Sequence, residues 1–431
     1  MSLVHPFRAR MYRHDSGADL STLTAPPYDV VTPERRAELL SAEPHNVVAL
    51  ELPEGPLDSS LPGNRYETGR ALWQSWYEEG VLVDDDSPAI YVVEQSWEYE
   101  GRHIRRRGFV AAVRLHPFAD GVILPHERTL PKALSDRLDL TRSTAANLSQ
   151  VFGLFSDPAG ETDGIFDAHI TTDPMFTATD AEGVLSKVWA IRDAGTIDAV
   201  AGIIGERPVF IADGHHRYTT ALAYRDERHA ADAALGHPTP ADAAYDFVMM
   251  TLVNMDDSEL VVLPTHRLAR ADGPFDAVSF WEAMASTFDL LEPPSPVPAS
   301  VGDTGRTTFL VRTADGTTRI ASLRADVDPA CVITADRSDE WKRLDVTVLQ
   351  ELVLKPLFGI DPDQPATLER LGFAKDAHEA LQVEHADAAF VVAPTRMDQL
   401  RAVALAGDTM PQKSTYFYPK LLSGLLFRSL A

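Results

Sequence analysis

The chain has 431 residues with a single cysteine, and 39 Lys+Arg against 64 Asp+Glu give a formal net charge of -25. That length predicts two to three domains' worth of material and an ample apolar core, and one cysteine excludes both a disulfide framework and a cysteine-based zinc cluster. The acidic field disfavours DNA or RNA as a partner. No run reaches the roughly 18 apolar residues of a membrane span.

Taken in chain order, the first segment to about Leu61 is rich in proline and charge, and Asn46-Val-Val-Ala-Leu-Glu-Leu-Pro53 reads as a short strand ending at a proline. Leu72, Trp73, Trp76 and Tyr77 share one face of a helix expected over Tyr66 to Gly80. Ala89 to Trp97 and His103 to Arg114 read as two strands turned at Glu100-Gly101. A composition shift at Gly160 to Gly164 suggests a boundary, and Val184 to Asp193 reads as helical. Beyond a strand at Phe247 to Asn254 and a proline-rich linker at Pro293 to Pro298, Thr308 to Val311 and Thr318 to Leu323 read as a hairpin turned at Asp315-Gly316. Leu344 to Phe358 and Met397 to Ala406 read as helices, with Ala389 to Ala393 a strand between them. Cys331 is expected in the core. The fold class is therefore α+β, with mixed sheets and hairpins. The expected segments are residues 1–160, 161–292 and 299–431, interlocked as one unit.

The strongest chemical signal is Val209-Phe-Ile-Ala-Asp-Gly-His-His-Arg217. An apolar strand stops at Asp213-Gly214 and a helix starts at once, with Tyr218, Leu222 and Arg225 at helical spacing. Gly214 permits a tight turn and close approach of a ligand. The free N–H groups of the new helix and the positive end of its dipole face outward, which suits an anion. His215, His216 and Arg217 add positive character there, so phosphate is the expected anion, with Asp213 as the helix N-cap. Pro125-His-Glu-Arg-Thr129 pairs His126 with Glu127, a pattern for a general base with an orienting partner or for part of a metal site. Pro264-Thr-His-Arg267 again adjoins His266 and Arg267 to a hydroxyl, Thr265. Met410-Pro-Gln-Lys-Ser-Thr-Tyr-Phe-Tyr-Pro-Lys420 places Lys413, Ser414 and Lys420 in a short hydroxyl-rich run suited to phosphate oxygens. Asp29 and Glu51 end strand-like runs and read, on spacing alone, as solvated carboxylates. P-loop, protein-kinase and GxSxG signatures are absent from the sequence.

Together, Ala25-Pro-Pro-Tyr-Asp-Val30, Pro125-His-Glu127, Ala212-Asp-Gly-His-His-Arg217, Leu263-Pro-Thr-His-Arg267 and Met410 to Lys420 resemble the DUF1015 family of bacteria, archaea and protists. One departure is Ser149-Gln-Val-Phe152, where the family pattern has Ser-Pro-Ile-Phe. The DGHHR turn also resembles the phosphate-binding turn of the ParB/sulfiredoxin-like superfamily, which implies a strand–DGHHR–helix core of that kind. The resemblance implies a phosphotransferase of the free-serine-kinase type. It would move a phosphoryl group from pyrophosphate or a nucleotide to L-serine, with Mg2+ as the expected ion. The physical reading fits that chemistry, because phosphoryl transfer needs clustered donors, cations and a base for the attacking hydroxyl. Asp213 to Arg217, with Lys413, Ser414 and Lys420, would hold the donor phosphates, and Glu51 or Glu127 would be the base.

Two other classes stay open. A metal-dependent phosphohydrolase would use His126, Glu127, His215 and His216, and a nucleotide- or phosphate-binding regulatory protein would bind without turnover. A sulfiredoxin-type redox reaction is excluded, because its turn needs a cysteine where this chain has His215. The expected partners are a small phosphate donor and a small hydroxyl acceptor. Nucleic acid and membrane are not expected, and the metal ligands and oligomeric state stay open. Met1 to Arg8 lacks a basic region followed by an apolar run, so no signal peptide is expected and the location expected is cytoplasmic.

Overall fold

A computed structural model describes residues 2–127, 131–205, 207–236, 242–298, 300–302, 305–382 and 385–431. The chain divides into two compact units, one of Met1–Pro125, Thr129–Leu260 and Pro419–Ala431, the other of His126–Arg128 and Val261–Tyr418. The composition shift at Gly160 to Gly164 falls inside the first unit, where a helix starts at Glu161.

The first unit is organised by a ten-stranded mixed sheet among the described residues. Its centre is the hairpin Ile90–Tyr99 and Arg102–Arg114, turned at Glu100 (φ 51°) and Gly101 (φ 72°). Arg102–Arg114 pairs antiparallel with Phe247–Asn254, which runs parallel to Val151–Phe155, which in turn pairs antiparallel with Val209–Asp213. Side chains alternate across the sheet. Ile90, Val92, Phe109, Ala111 and Val113 enter one apolar core, whereas Tyr91, Val93, Val110 and Ala112 enter a second. With both faces covered, Phe247–Asn254 and Val151–Phe155 carry almost unbroken apolar runs, whereas the hairpin is apolar mainly in Ile90 to Val93 and Phe109 to Val113. The second unit contains a six-stranded sheet, antiparallel throughout. Its order is Phe288–Leu291, Thr318–Leu323, Thr308–Thr313, Ala388–Val391, His266–Ala269 and Leu371–Ala374.

The mixture of helices, several sheets and hairpins agrees with the α+β expectation, but four local readings are corrected. Val48–Glu51 is a turn of helix, not a strand. The Asn46 amide donates to the Thr22 and Thr24 carbonyls at 2.8 Å and its Oδ1 accepts the Val48 N–H at 3.0 Å, which starts the helical turn. The stretch read as helical around Val184 to Asp193 is the strand Leu185–Ile191, because Leu185 to Ile191 pair with Ser96 to Ile90 along its whole length. The helix expected over Leu344 to Phe358 is interrupted by a π-helical turn at Gln350–Leu354. Cys331 is exposed, on the single helical turn Pro329–Val332, and is not a core residue.

Candidate functional site

The strand Val209–Asp213 ends the sheet side of the site, and Gly214 (φ 86°, ψ 29°) turns the chain into the helix His215–Ala234. Gly214 occupies the cap position and no side chain caps this helix, so Asp213 is not the expected N-cap. Its carboxylate serves two cations instead: Oδ2 lies 3.5 Å from Arg217 Nη2 and 3.5 Å from Lys420 Nζ. Burial opposes ionisation of Asp213, but Lys420, Arg217, His215 and the Gly214 N–H outweigh it and hold the carboxyl below its ordinary range.

The first helical turn carries His215, His216 and Arg217 and no acidic residue. Arg217 Nη1 donates to the Gln150 carbonyl, and its guanidinium lies over Gly214, where an added Cβ would sit 2.9 Å from Nε. Burial works against its charge, but Asp213, Tyr28, Asp29 and Glu51 raise the affinity of Arg217 for its proton above the usual value. His216 is half-buried, and that burial pulls its pKa below 6.5 with Arg217 acting in the same sense, while Asp29 and Asp213 oppose it. A neutral imidazole at pH 7 follows.

Two N-terminal segments meet this turn. Tyr28–Val30 forms a short 3-10 turn with Asp29 exposed. The Tyr28 hydroxyl is pushed up to about 12, chiefly by burial, so it stays a neutral donor. Glu51, at the end of Val48–Glu51, is only 3 % exposed and its Oε2 is buried without a hydrogen-bond partner among the described residues. Arg137, on the helix Pro131–Thr144, donates to the Glu51 carbonyl at 2.8 Å and stacks over the Tyr28 ring at 4.2 Å. A cavity of about 40 Å³ is lined by Glu51, Arg137, Arg217, Thr220 and Ser149 among others. The Arg217 Nε and the Thr220 hydroxyl are likewise buried and unpartnered. A buried polar atom left unsatisfied costs on the order of 1–3 kcal/mol, and the residues that carry these three all line the one small cavity.

Of the residues singled out in the sequence, Asp29, Glu51, Asp213 to Arg217 and Lys420 therefore gather in the first unit. His126, Glu127, Thr265 to Arg267, Lys413 and Ser414 belong to the second. There, His126 is 1 % exposed with Nε2 2.9 Å from the Thr415 hydroxyl, and its carbonyl accepts the Met410 N–H at 2.8 Å. Arg267 is buried, which draws its pKa down to about 10 against the pull of Glu127, and it donates to the Lys413 carbonyl at 3.0 Å and to that of Thr265. His266 is drawn down to about 4 by burial, with Arg267 acting in the same sense against Asp376, and its Nδ1 accepts the Val392 N–H at 3.3 Å. The Ser414 hydroxyl donates to the Pro411 carbonyl at 2.5 Å, while Lys413 is exposed with Nζ 5.4 Å from the Phe373 ring centre. Arg128 and Thr129 of the same motif lie outside the described residues. Arg137 and Thr220 were not foreseen: each reads in sequence as an ordinary polar position on a helix.

The family model described as "Protein of unknown function (DUF1015)" matches residues 4–347. The chain belongs to the DUF1015 family. The match ends before the Met410 to Lys420 motif. No curated protein matches this DUF1015 chain. Among solved structures it is similar to a free serine kinase in complex with AMP, at 13% identity and TM-score 0.30, covering 68% of this chain and 83% of that one. It is also similar to SbnI with a C-terminal truncation from Staphylococcus aureus, at 12% identity and TM-score 0.33, covering 73% and 85%. A conserved hypothetical protein from Pyrococcus furiosus is similar at 12% identity and TM-score 0.29, covering 69% and 90%.

Proposed function

We propose that this DUF1015 protein is a small-molecule phosphotransferase that acts as a free serine kinase, with pyrophosphate or a nucleotide as donor. The observation that carries the proposal is the convergence of Glu51 on the Asp213–Arg217 turn. A buried carboxylate with an unpartnered oxygen lines the same cavity as a guanidinium at a helix N-terminus. Donor phosphates would lie against the N–H groups of the His215–Ala234 helix, Arg217 and Lys420, which offer fixed positive charge to the equatorial oxygens. His216 and the Tyr28 phenol, both neutral at pH 7, would supply hydrogen bonds without further charge. Glu51 would take the proton of the acceptor hydroxyl as that oxygen forms its bond to the terminal phosphorus. The bridging P–O bond breaks, and phosphate or the shortened nucleotide leaves with the electron pair.

Among the described residues no group of three or more His, Cys, Asp or Glu side chains is arranged to hold a metal ion. The residues present fit magnesium carried on the donor's own phosphates, helped by one or two carboxylates, which is how that ion usually enters such sites. Asp29, exposed and electrostatically coupled to His216 and Arg217, would be the carboxylate for that role. Magnesium would neutralise phosphate charge there.

The test is phosphorus NMR with magnesium, L-serine and, in turn, pyrophosphate, ADP, ATP and CTP. A phosphoserine signal with one donor, lost in His216→Ala, is expected. Phosphate released at the same rate without serine would make the protein a phosphohydrolase. No turnover with any donor would leave a binding protein.

A further inference from the structure

We propose that Arg106 and Gln95 form a buried clamp that sets Lys420 against Asp213, which makes Arg106 a positioning residue for the phosphotransferase reading given above. Arg106 is 1 % exposed, and burial draws its pKa down to about 9. A buried guanidinium is expensive, and an apolar side chain of similar volume is often the more stable choice at such a position. Arg106, within the strand Arg102–Arg114, instead spends its donors on specific partners.

Gln95 and Arg106 are direct partners across the Ile90–Tyr99 and Arg102–Arg114 ladder. Arg106 Nη2 donates to Gln95 Oε1 and, at 2.6 Å, to the Pro419 carbonyl, while Gln95 Nε2 donates to the Lys420 carbonyl at 3.3 Å. Two successive carbonyls of the C-terminal segment are thus gripped from one cross-strand pair. The side chain of the same Lys420 meets Asp213, with Nζ 3.5 Å from Oδ2. A second route runs through Phe152: the Arg106 guanidinium lies 5.0 Å from its ring centre, and Phe152 is the ladder partner of Asp213. Both the lysine and the carboxylate it meets are therefore referenced to one buried cation.

The test uses the full chain with two readouts. The first is the rate at which Lys420 is acetylated by a water-soluble ester, followed by mass spectrometry. The Asp213 contact protects it, and Arg106→Gln is expected to raise that rate roughly tenfold while lysines of the second unit keep theirs. The second is calorimetric binding of pyrophosphate, ADP and ATP with magnesium in a double-mutant cycle. Arg106→Gln and Lys420→Ala should each weaken the bound donor about tenfold, and the double variant no more than the worse single. Arg106→Lys should recover part of the loss. If Arg106→Gln does not fold, Gln95→Ala carries the same cycle. Fully additive losses, or unchanged Lys420 labelling in a folded variant, overturn the clamp. If the unaltered protein binds no donor, the kinase reading falls while the labelling result still decides the clamp.

Discussion

Gly214→Ala separates the two things the turn does. At φ 86° the backbone lies in the left-handed region, which costs an alanine about 1–2 kcal/mol relative to glycine. For a unit of this size that lowers the melting temperature by roughly 2–8 °C. The new Cβ would also sit 2.9 Å from Arg217 Nε and 3.0 Å from Cζ and Nη2, so the guanidinium must move off the turn. Removing a charged hydrogen-bond donor from a phosphate is worth about 1.5–3 kcal/mol, so donor affinity should fall roughly 10- to 150-fold. Gly214→Asn is the control. Asparagine tolerates the left-handed region, so most of the stability should return, but its Cβ meets the guanidinium in the same place and donor affinity should stay low. The assays are thermal unfolding and pyrophosphate calorimetry on both variants. If Gly214→Asn binds the donor as tightly as the unaltered protein, Arg217 over the turn is not the phosphate contact and the reasoning fails.

Glu51→Gln should lower the rate of phosphoserine formation by about 10²–10⁴ while donor binding holds or tightens, because a negative charge felt by Arg217 is removed; equal loss of rate and donor affinity would argue against a base. His266 carries a pH dependence in the second unit. Its folded pKa of about 4 lies below the usual 6.5, so the neutral form is favoured in the native state and the unfolded chain takes the proton first. Stability is then fully present above pH 6.5 and declines as pH falls towards 4, by up to about 3 kcal/mol, and His266→Asn should flatten that part of the urea-unfolding profile. With a net charge of -25, added salt should speed pyrophosphate association by screening long-range repulsion, and a stopped-flow rate that falls with salt would contradict this.

The Asp213–Arg217 turn was legible because two local signals coincide there: an apolar run stops, and a helix begins with residues its dipole disfavours. Spacing alone read Glu51 as a solvated carboxylate, and only the family resemblance offered it as a candidate base. What brings it in is non-local: the Asn46 amide bonded to Thr22 and Thr24, and the Arg137 guanidinium on its carbonyl. Arg106 was out of reach altogether, since its meaning comes from cross-strand register with Gln95 and from carbonyls more than three hundred residues away. Leu185–Ile191 was misread because pairing along a full edge overrides a short stretch's own preference. The remaining motifs were recognised as words without a sentence: His126, Thr415 and Met410 meet in the second unit through hydrogen bonds no spacing encodes.

Net charge is likewise a poor guide to a local site, for a physical reason. It is a sum over a surface, whereas a phosphate inside a site feels charges within a few ångströms across a medium that screens poorly. Arg217, Arg137, Lys420 and the buried Arg106 sit in one unit of a chain whose average charge is strongly negative. Under the proposed phosphotransferase reading, a compact anion at the Gly214 turn would meet the N–H groups of the helix and the cations paired with Asp213. Under that proposal, selectivity for small phosphates over large polyanions would follow from the contrast between the local charges and the net charge.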